Sequence, residues 1–193
     1  MIKIIGIPGS LRRGSYNAAL LRAAAELTPE GAELAIESIL GIPLYDGDEE
    51  DARGLPARVV ELKERIAGAD GLLLATPEYN NSIPGVFKNA VDWLSRPPAD
   101  IARVFGGKPV AVIGASPGGF GTVLSQNAWL PVLRTLGTRP WFGGRLYVSR
   151  AHTVFDETGA LTDETIRKQL RQFLSGFVDF ITSVSSAAKS PIG

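Results

Sequence analysis

Short apolar runs alternate along the chain with longer segments whose apolar residues recur every three or four positions. Residues 70–76 and 109–115 are almost continuously apolar, which is typical of parallel strands covered on both faces. A similar run occupies residues 2–7, and residues 33–39 and 141–148 form two weaker candidates. The pattern therefore predicts five strands.

The intervening segments have the periodicity of amphipathic helices. Predicted helices cover residues 15–27, 56–67, 84–95 and 122–136, and a last helix opens at Thr162-Asp163-Glu164 with Thr162 as its N-cap. Pro131 lies inside the fourth helix, so a kink or an early break is expected there. We expect one domain over residues 1–182 and a flexible tail over residues 183–193, which begin with a serine- and alanine-rich run.

Five successive strand–helix alternations predict an open, mostly parallel α/β sheet with right-handed crossovers. That fold class hosts many activities, so it does not identify a function. Ligands bind such sheets beyond the carboxyl ends of the strands, where the strand order reverses. The loops after the first, third and fourth strands are therefore the segments to search for a site.

The composition excludes several kinds of chemistry. The 193 residues include no cysteine and one histidine, His152, so disulfides, thiolate nucleophiles, iron–sulfur clusters and His-rich metal sites are not expected. Lys and Arg number 20, as do Asp and Glu, so no net charge favours nucleic acid or an acidic membrane. Because the chain has no run of about 18 apolar residues and no signal-peptide pattern, we expect a cytoplasmic protein without a membrane partner.

The loop after the first strand has the features of an anion site. Two glycines and three short polar side chains come directly before the predicted helix, the polar residues being Ser10, Ser15 and Asn17. Free N–H groups at the start of that helix would face the loop, and Arg12 or Arg13 offers donors that match phosphate oxygens. A Walker A loop needs Lys where this chain has Ser15, so ATP or GTP hydrolysis is not expected. An ordinary capped helix is the alternative interpretation.

The loop after the third strand combines rigidity, a flat ring and amide groups. Pro77 and Pro84 bracket it and reduce the entropy that is lost when the loop adopts one shape. Tyr79 offers an apolar face, and Asn80 and Asn81 offer donors and acceptors for the rim of a planar heterocycle. These features suit a flavin, although a plain turn with a surface tyrosine would also account for them.

Both loops resemble signatures of one family, the NADPH-dependent FMN reductases. These flavodoxin-like enzymes include bacterial quinone, azo-dye and chromate reductases, and their phosphate loop is similar to Gly9-Ser10-Leu11-Arg12-Arg13-Gly14-Ser15-Tyr16-Asn17. Their second signature is similar to Pro77-Glu78-Tyr79-Asn80, Ser82-Ile83-Pro84-Gly85 and Lys88-Asn89-Ala90-Val91-Asp92-Trp93. The resemblance covers about residues 3–180 and implies a flavodoxin-like sheet of five parallel strands in the order 2-1-3-4-5.

The resemblance also implies which residues bind FMN. Its phosphate would be held by Ser10, Arg12, Ser15 and Asn17 together with the backbone of Tyr16. The isoalloxazine ring or the ribityl chain would contact Pro77, Glu78, Tyr79, Asn80 and Asn81, the last of which stands where relatives often carry a larger residue. The glycine-rich loop after the fourth strand would wrap the pyrimidine side of the flavin through Ser116, Gly118 and Gly119.

The implied activity is an FMN-dependent NAD(P)H oxidoreductase. Hydride would pass from NAD(P)H to flavin N5, and electrons would then go to quinones, azo compounds, metal oxyanions or free flavin at the same face. No side chain is assigned as an obligatory acid or base, since the cofactor carries the chemistry. The resemblance further implies a homodimer or homotetramer. Three alternatives stay open: a flavodoxin-type electron carrier, a nucleotide-binding module without flavin, and an inactive scaffold of the same fold.

Overall fold

A parallel β-sheet forms the centre of the computed structural model, which describes residues 1–189. Its strands within the described residues are β1 (Ile2–Pro8), β2 (Ala32–Ile36), β3 (Gly71–Ala75), β4 (Pro109–Ala115), β5 (Arg139–Pro140) and β6 (Tyr147–Val148). They lie in the order β2-β1-β3-β4-β5, with β6 also paired to β4, and every pair is parallel. The predicted flavodoxin-like strand order is confirmed.

Helices pack on both faces of this sheet. The α-helices of the described residues are α1 (Tyr16–Leu27), α2 (Gly47–Arg53), α3 (Ala57–Ala67), α4 (Gly85–Leu94), α5 (Ile101–Val104), α6 (Val123–Thr135) and α7 (Glu164–Lys189). Leu73 of β3 belongs to the buried cluster formed with α1 and α7, whereas Leu72 and Leu74 belong to the cluster formed with α3, α4 and α6. Successive strand residues point to opposite faces, so one apolar strand supplies both cores.

The carboxyl ends of β1, β3 and β4 lie side by side. The register pairs Pro8 with Ala75 and Ala75 with Ile113, so the three strands end at nearly the same level. The loops that follow them, residues 9–15, 76–84 and 116–122, therefore share one edge of the sheet. The strand order reverses between β1 and β3, which makes this edge the expected ligand site.

The predicted single strand over residues 141–148 is wrong, because the structure has two short strands, β5 and β6, with residues 141–146 between them. The Trp141 ring explains the interruption, since it packs edge-on against Phe173 of α7 with ring centroids 4.8 Å apart. Gly144 lies so close to this ring that a Cβ there would be 2.7 Å from Trp141 Cη2. The chain therefore leaves the sheet to bury the indole and returns to β4 at Tyr147.

The five predicted helices correspond to α1, α3, α4, α6 and α7 and differ from them at three places, whereas α2 and α5 were not predicted. The early break at Pro131 is wrong: α6 continues to Thr135, and buried Trp129 and Leu133 anchor it on both sides of the proline. Asp163 rather than Thr162 caps α7, because Asp163 Oδ1 accepts a hydrogen bond of 2.9 Å from the Ile166 N–H.

The C-terminal end is the third difference. Residues 183–189 lie within α7, whereas the sequence predicts a tail from residue 183 onward. Residues 190–193 lie outside the described residues, and the flexibility of the tail stays a prediction. None of the helices in the described part of the chain is both long and apolar enough to cross a membrane.

Candidate functional site

Hydrogen bonds join the three loops at the carboxyl edge into one unit. The Gly9 N–H donates to the Ala75 carbonyl at 2.9 Å, which ties the loop after β1 to the end of β3. The Asn17 side chain donates to the Ala115 carbonyl and accepts from the Ala115 N–H, both at 2.9 Å, which ties α1 to the end of β4. These hydrogen bonds, together with the register of the strands, therefore hold the three loops with the predicted site residues at one edge of the sheet.

Ser15 and Ser10 shape the loop after β1. Ser15 is the N-cap of α1, and its Oγ accepts a hydrogen bond of 3.2 Å from the Ala18 N–H. Ser10 Oγ accepts from the Arg12 N–H at 3.3 Å, and the Ser15 N–H donates to the Arg12 carbonyl at 3.1 Å. Both hydroxyl groups keep a proton to donate, as a phosphate ligand requires.

Several backbone N–H groups of this loop have no acceptor among residues 1–189: those of Leu11, Arg13, Gly14, Tyr16 and Asn17. A Cβ added to Gly14 would meet no atom within 4 Å, so the space beside the loop is open. Such donors at a helix N-terminus form a site for an anion, and the helix dipole adds to the attraction.

Tyr16 and Asn17 direct their side chains into the fold. The Tyr16 ring stacks on Phe155 with centroids 5.9 Å apart, so its side chain packs away from the loop, and the role of its backbone in phosphate binding stays a prediction. Asn17 is 3% exposed, and both ends of its amide are bonded to Ala115. Its side chain therefore has a structural role that the sequence did not reveal, and its backbone N–H has no acceptor among residues 1–189.

The loop after β3 forms a two-residue hairpin turn. Tyr79 and Ser82 exchange N–H···O hydrogen bonds of 3.2 and 3.1 Å, and the residues between them, Asn80 and Asn81, have φ angles of 50° and 61°. Two positive φ angles in such a turn are the type I′ pattern, which favours asparagine. The two asparagines therefore have a conformational reason to be there, and their N–H groups have no acceptor within the described residues.

Pro77 and Tyr79 flank Glu78 on the same loop. The Pro77 carbonyl accepts from the buried Thr76 hydroxyl at 2.9 Å, while the Tyr79 ring is 48% exposed. Glu78 Oε2 accepts hydrogen bonds from the N–H groups of Leu124 and Ser125 at 2.9 and 3.0 Å. The carboxylate predicted to contact the flavin thus also bonds to the first turn of α6, a contact that no local pattern indicates.

Hydrogen bonds to residues 148–151 fix the loop after β4, and the space beside its glycines is open. The Ser116 N–H donates to the Val148 carbonyl at 2.9 Å, and the Ser116 carbonyl accepts from the Ala151 N–H at 3.0 Å. The hydroxyl of Ser116 is therefore the group that stays available for a ligand. A Cβ added to Gly118 or Gly119 would meet no atom within 4 Å. The Arg150 N–H also donates to the Gly118 carbonyl at 2.9 Å, which makes residues 148–151 a support of the site that sequence reasoning missed.

These groups fit FMN. The N–H groups and hydroxyls of the loop after β1 suit its phosphate, while open glycine backbone and a half-exposed tyrosine ring suit a planar heterocycle with polar edges. No group of three or more His, Cys, Asp or Glu that could hold a metal ion occurs within residues 1–189. The donor set is that of an anionic, aromatic cofactor.

Comparison with known proteins gives the same result. A sequence model of the NADPH-dependent FMN reductase family matches residues 2–153. An NAD(P)H-dependent FMN reductase of Pseudomonas aeruginosa is 46% identical over 173 residues, which are 90% of this chain and 91% of the relative. A quinone reductase of Escherichia coli K12 is 37% identical over 188 residues, with coverage of 95% and 97%. FerB, a flavoenzyme NAD(P)H:(acceptor) oxidoreductase from Paracoccus denitrificans, is a solved structure with a TM-score of 0.84 and 35% identity, and the match covers 95% of this chain and 98% of that one.

Proposed function

The chain belongs to the NADPH-dependent FMN reductase family, and from this membership we propose that it is an FMN-dependent oxidoreductase that passes hydride from NAD(P)H to a small-molecule acceptor. The observation that carries the proposal is the cradle of unpartnered N–H groups at the start of α1, next to the exposed guanidinium of Arg12. A phosphate there would receive charge-assisted hydrogen bonds, which are shorter and stronger than neutral ones.

Each loop has a distinct task in this proposal. Ser10, Arg12 and Ser15, with the backbone N–H groups of Tyr16 and Asn17, hold the phosphate. The residues from Pro77 to Asn81 and the backbone at Gly118 and Gly119 border the ring. The N–H groups of Asn80, Asn81, Gly118 and Gly119 donate to its polar edges. The Tyr79 ring covers an apolar face and reduces the access of water.

When bound, FMN supplies the redox chemistry, namely a ring that takes up hydride from NAD(P)H and gives electrons to an acceptor. The protein supplies oriented donors, which stabilise negative charge on a reduced ring without reorganising. This division of tasks agrees with a site that has neither a metal cluster within the described residues nor a cysteine.

Quinones are the acceptor class that the relatives favour, because the Escherichia coli relative is named a quinone reductase. Azo compounds, metal oxyanions and free flavin are the other acceptors to be compared with them. The proposal also includes a homodimer or homotetramer and a cytoplasmic location, as the family resemblance implies.

Steady-state NADPH oxidation tests the proposal. Purified protein loaded with FMN is expected to oxidise NADPH continuously with 1,4-benzoquinone, whereas protein stripped of FMN is expected to be inactive until FMN is restored. A flavodoxin-type carrier would bind FMN without sustained NADPH oxidation. A nucleotide-binding module without flavin, or an inactive scaffold, would give a colourless protein or no turnover, and either result would refute the proposed activity.

A further inference from the structure

Glu78 replaces a missing cap at the start of α6. Thr122 precedes this helix in the left-handed region, with φ of 70°, and makes no side-chain hydrogen bond to the first-turn N–H groups. Its Oγ1 instead accepts from the Gln126 amide at 3.2 Å. The N–H groups of Leu124 and Ser125 consequently bond to Glu78, which lies 46 and 47 residues earlier in the chain.

Thr122 is prevented from serving as the cap by its packing against β4. A Cβ added to Gly114 would lie 2.0 Å from Thr122 Oγ1 and 2.3 Å from the Thr76 carbonyl. This close approach presses the Thr122 hydroxyl against the end of the strand. A carboxylate at a helix N-terminus is favourable because the N–H groups and the helix dipole are positive there.

Deeper in the protein than Glu78, a buried cluster also joins the loop after β3 to α6. The Thr76 hydroxyl lies 2.8 Å from Ser125 Oγ and accepts from Trp129 Nε1 at 3.1 Å, and these groups are buried. Glu78 continues this connection outward toward the solvent. It forms no ion pair within the described part of the chain, so the start of α6 is its polar partner.

We propose that Glu78 is a positioning residue that holds residues 116–121 in register with residues 77–82, the two segments that border the FMN ring. This inference rests on the proposed function. Since residues 116–121 lead directly into α6, a shift of the first turn of α6 displaces Gly118 and Gly119 relative to the turn at Asn80. Glu78 also accepts the hydrogen bonds of the first-turn N–H groups of α6. The N–H groups that remain available to an anionic ligand are therefore those at the start of α1.

The test compares Glu78→Ala, Glu78→Asp and Glu78→Gln with wild type, and Asp163→Ala serves as the matched control. Asp163 caps α7 through a hydrogen bond within its own helix, and neither of the hydrogen bonds that it makes involves the three loops. Losing a cap destabilises a helix, so both alanine variants are expected to lower the melting temperature of the FMN-free protein. FMN binding is expected to weaken by about tenfold in E78A and in E78D, whose aspartate side chain is one methylene too short, and to stay unchanged in D163A. E78Q keeps an acceptor oxygen and is expected to stay within about threefold of wild type.

Amide hydrogen exchange of the FMN-free proteins gives a readout that does not depend on flavin or activity. E78A is expected to exchange faster than wild type at Leu124 and Ser125 and throughout residues 116–121, and D163A is expected to be unchanged there. Unchanged exchange at residues 116–121 in E78A and E78D would overturn the positioning role, whatever the FMN affinity of these variants, and would leave the proposed function standing. A wild-type protein that binds no FMN would instead refute the proposed function and this inference with it.

Discussion

Arg58 and Arg12 show two uses of the same side chain in one molecule. Arg58 pairs with Glu37 at 3.0 Å and with Glu61 at 2.8 Å, and it thereby fastens α3 to the end of β2. Arg12 is exposed, and no carboxylate lies within salt-bridge distance of it among residues 1–189. Its guanidinium therefore has no acidic partner among these residues, which leaves it available for the proposed phosphate ligand.

Replacing Arg12 by alanine tests this assignment. Arg12→Ala is expected to weaken FMN binding by about tenfold to a hundredfold, because a charge-assisted hydrogen bond contributes roughly 1.5–3 kcal/mol. Arg171→Ala, which removes an exposed arginine on α7, is the control and is expected to bind FMN as wild type does. Both affinities can be measured by the quenching of FMN fluorescence. Equal affinity of the two variants would place the phosphate elsewhere.

The carboxyl of Glu37 links stability to pH. Burial raises its pKa, but hydrogen bonds from Arg65 and Arg58 outweigh burial and hold the pKa below its usual value. A carboxyl whose pKa is lowered by folding stabilises the protein above its unfolded pKa, and the stabilisation is lost as the pH falls through the folded pKa.

Glu37→Gln is therefore expected to lower the free energy of unfolding at pH 7 by about 1.5–3 kcal/mol, the contribution of hydrogen bonds to a charged group. The difference from wild type should shrink as the pH falls below the ordinary pKa of a glutamate, about 4.3, because the unfolded chain then takes up a proton more readily than the folded protein. Urea denaturation at both pH values measures it, with Glu61→Gln as an exposed control that also faces Arg58. A difference that does not change with pH would contradict this account of Glu37.

Among the elements, the turn from Tyr79 to Ser82 places two consecutive residues in the left-handed region. Both central residues have positive φ, a region that costs most non-glycine residues roughly 1–2 kcal/mol each and that asparagine tolerates. The turn fixes where Tyr79 and the Asn80 and Asn81 N–H groups stand at the sheet edge. The conformation of the turn is therefore part of the proposed binding site, as its side chains are.

Asn81→Val should strain this turn, whereas Asn81→Gly should relieve the strain. The valine variant is expected to lower the free energy of local opening by about 1–2 kcal/mol, and the glycine variant to leave it equal or higher. Hydrogen exchange of the Ser82 N–H, which donates to Tyr79, reports this opening directly. Equal protection in the two variants would mean that the turn does not depend on asparagine.

Elements with strong periodicity could be predicted from the sequence to within a residue or so. The strand over residues 109–115 and the helix that ends at Leu27 are examples, because local apolar spacing decides both. The division of the last strand into β5 and β6 could not be predicted, since it depends on the contact of Trp141 with Phe173 of α7. Local patterns contain no information about such distant partners.

For the molecule as a whole, the topology rather than any single motif assembles the site. Groups from residue 10 to residue 151 meet at one edge because β1, β3 and β4 end there in register. The sequence was sufficient to predict which loops would meet. It did not reveal that Asn17 bonds to Ala115 or that Glu78 bonds to α6, because each of these contacts exists only after the sheet has formed.

The visible spectrum of the purified protein, reconstituted with FMN and titrated with NADPH in the absence of oxygen, tests the central claim most directly. The account predicts a flavin spectrum from a stoichiometric complex, bleaching on addition of NADPH, and recovery of the absorbance when a quinone is added. A protein that retains no FMN, or whose bound FMN keeps its absorbance in excess NADPH, would contradict it.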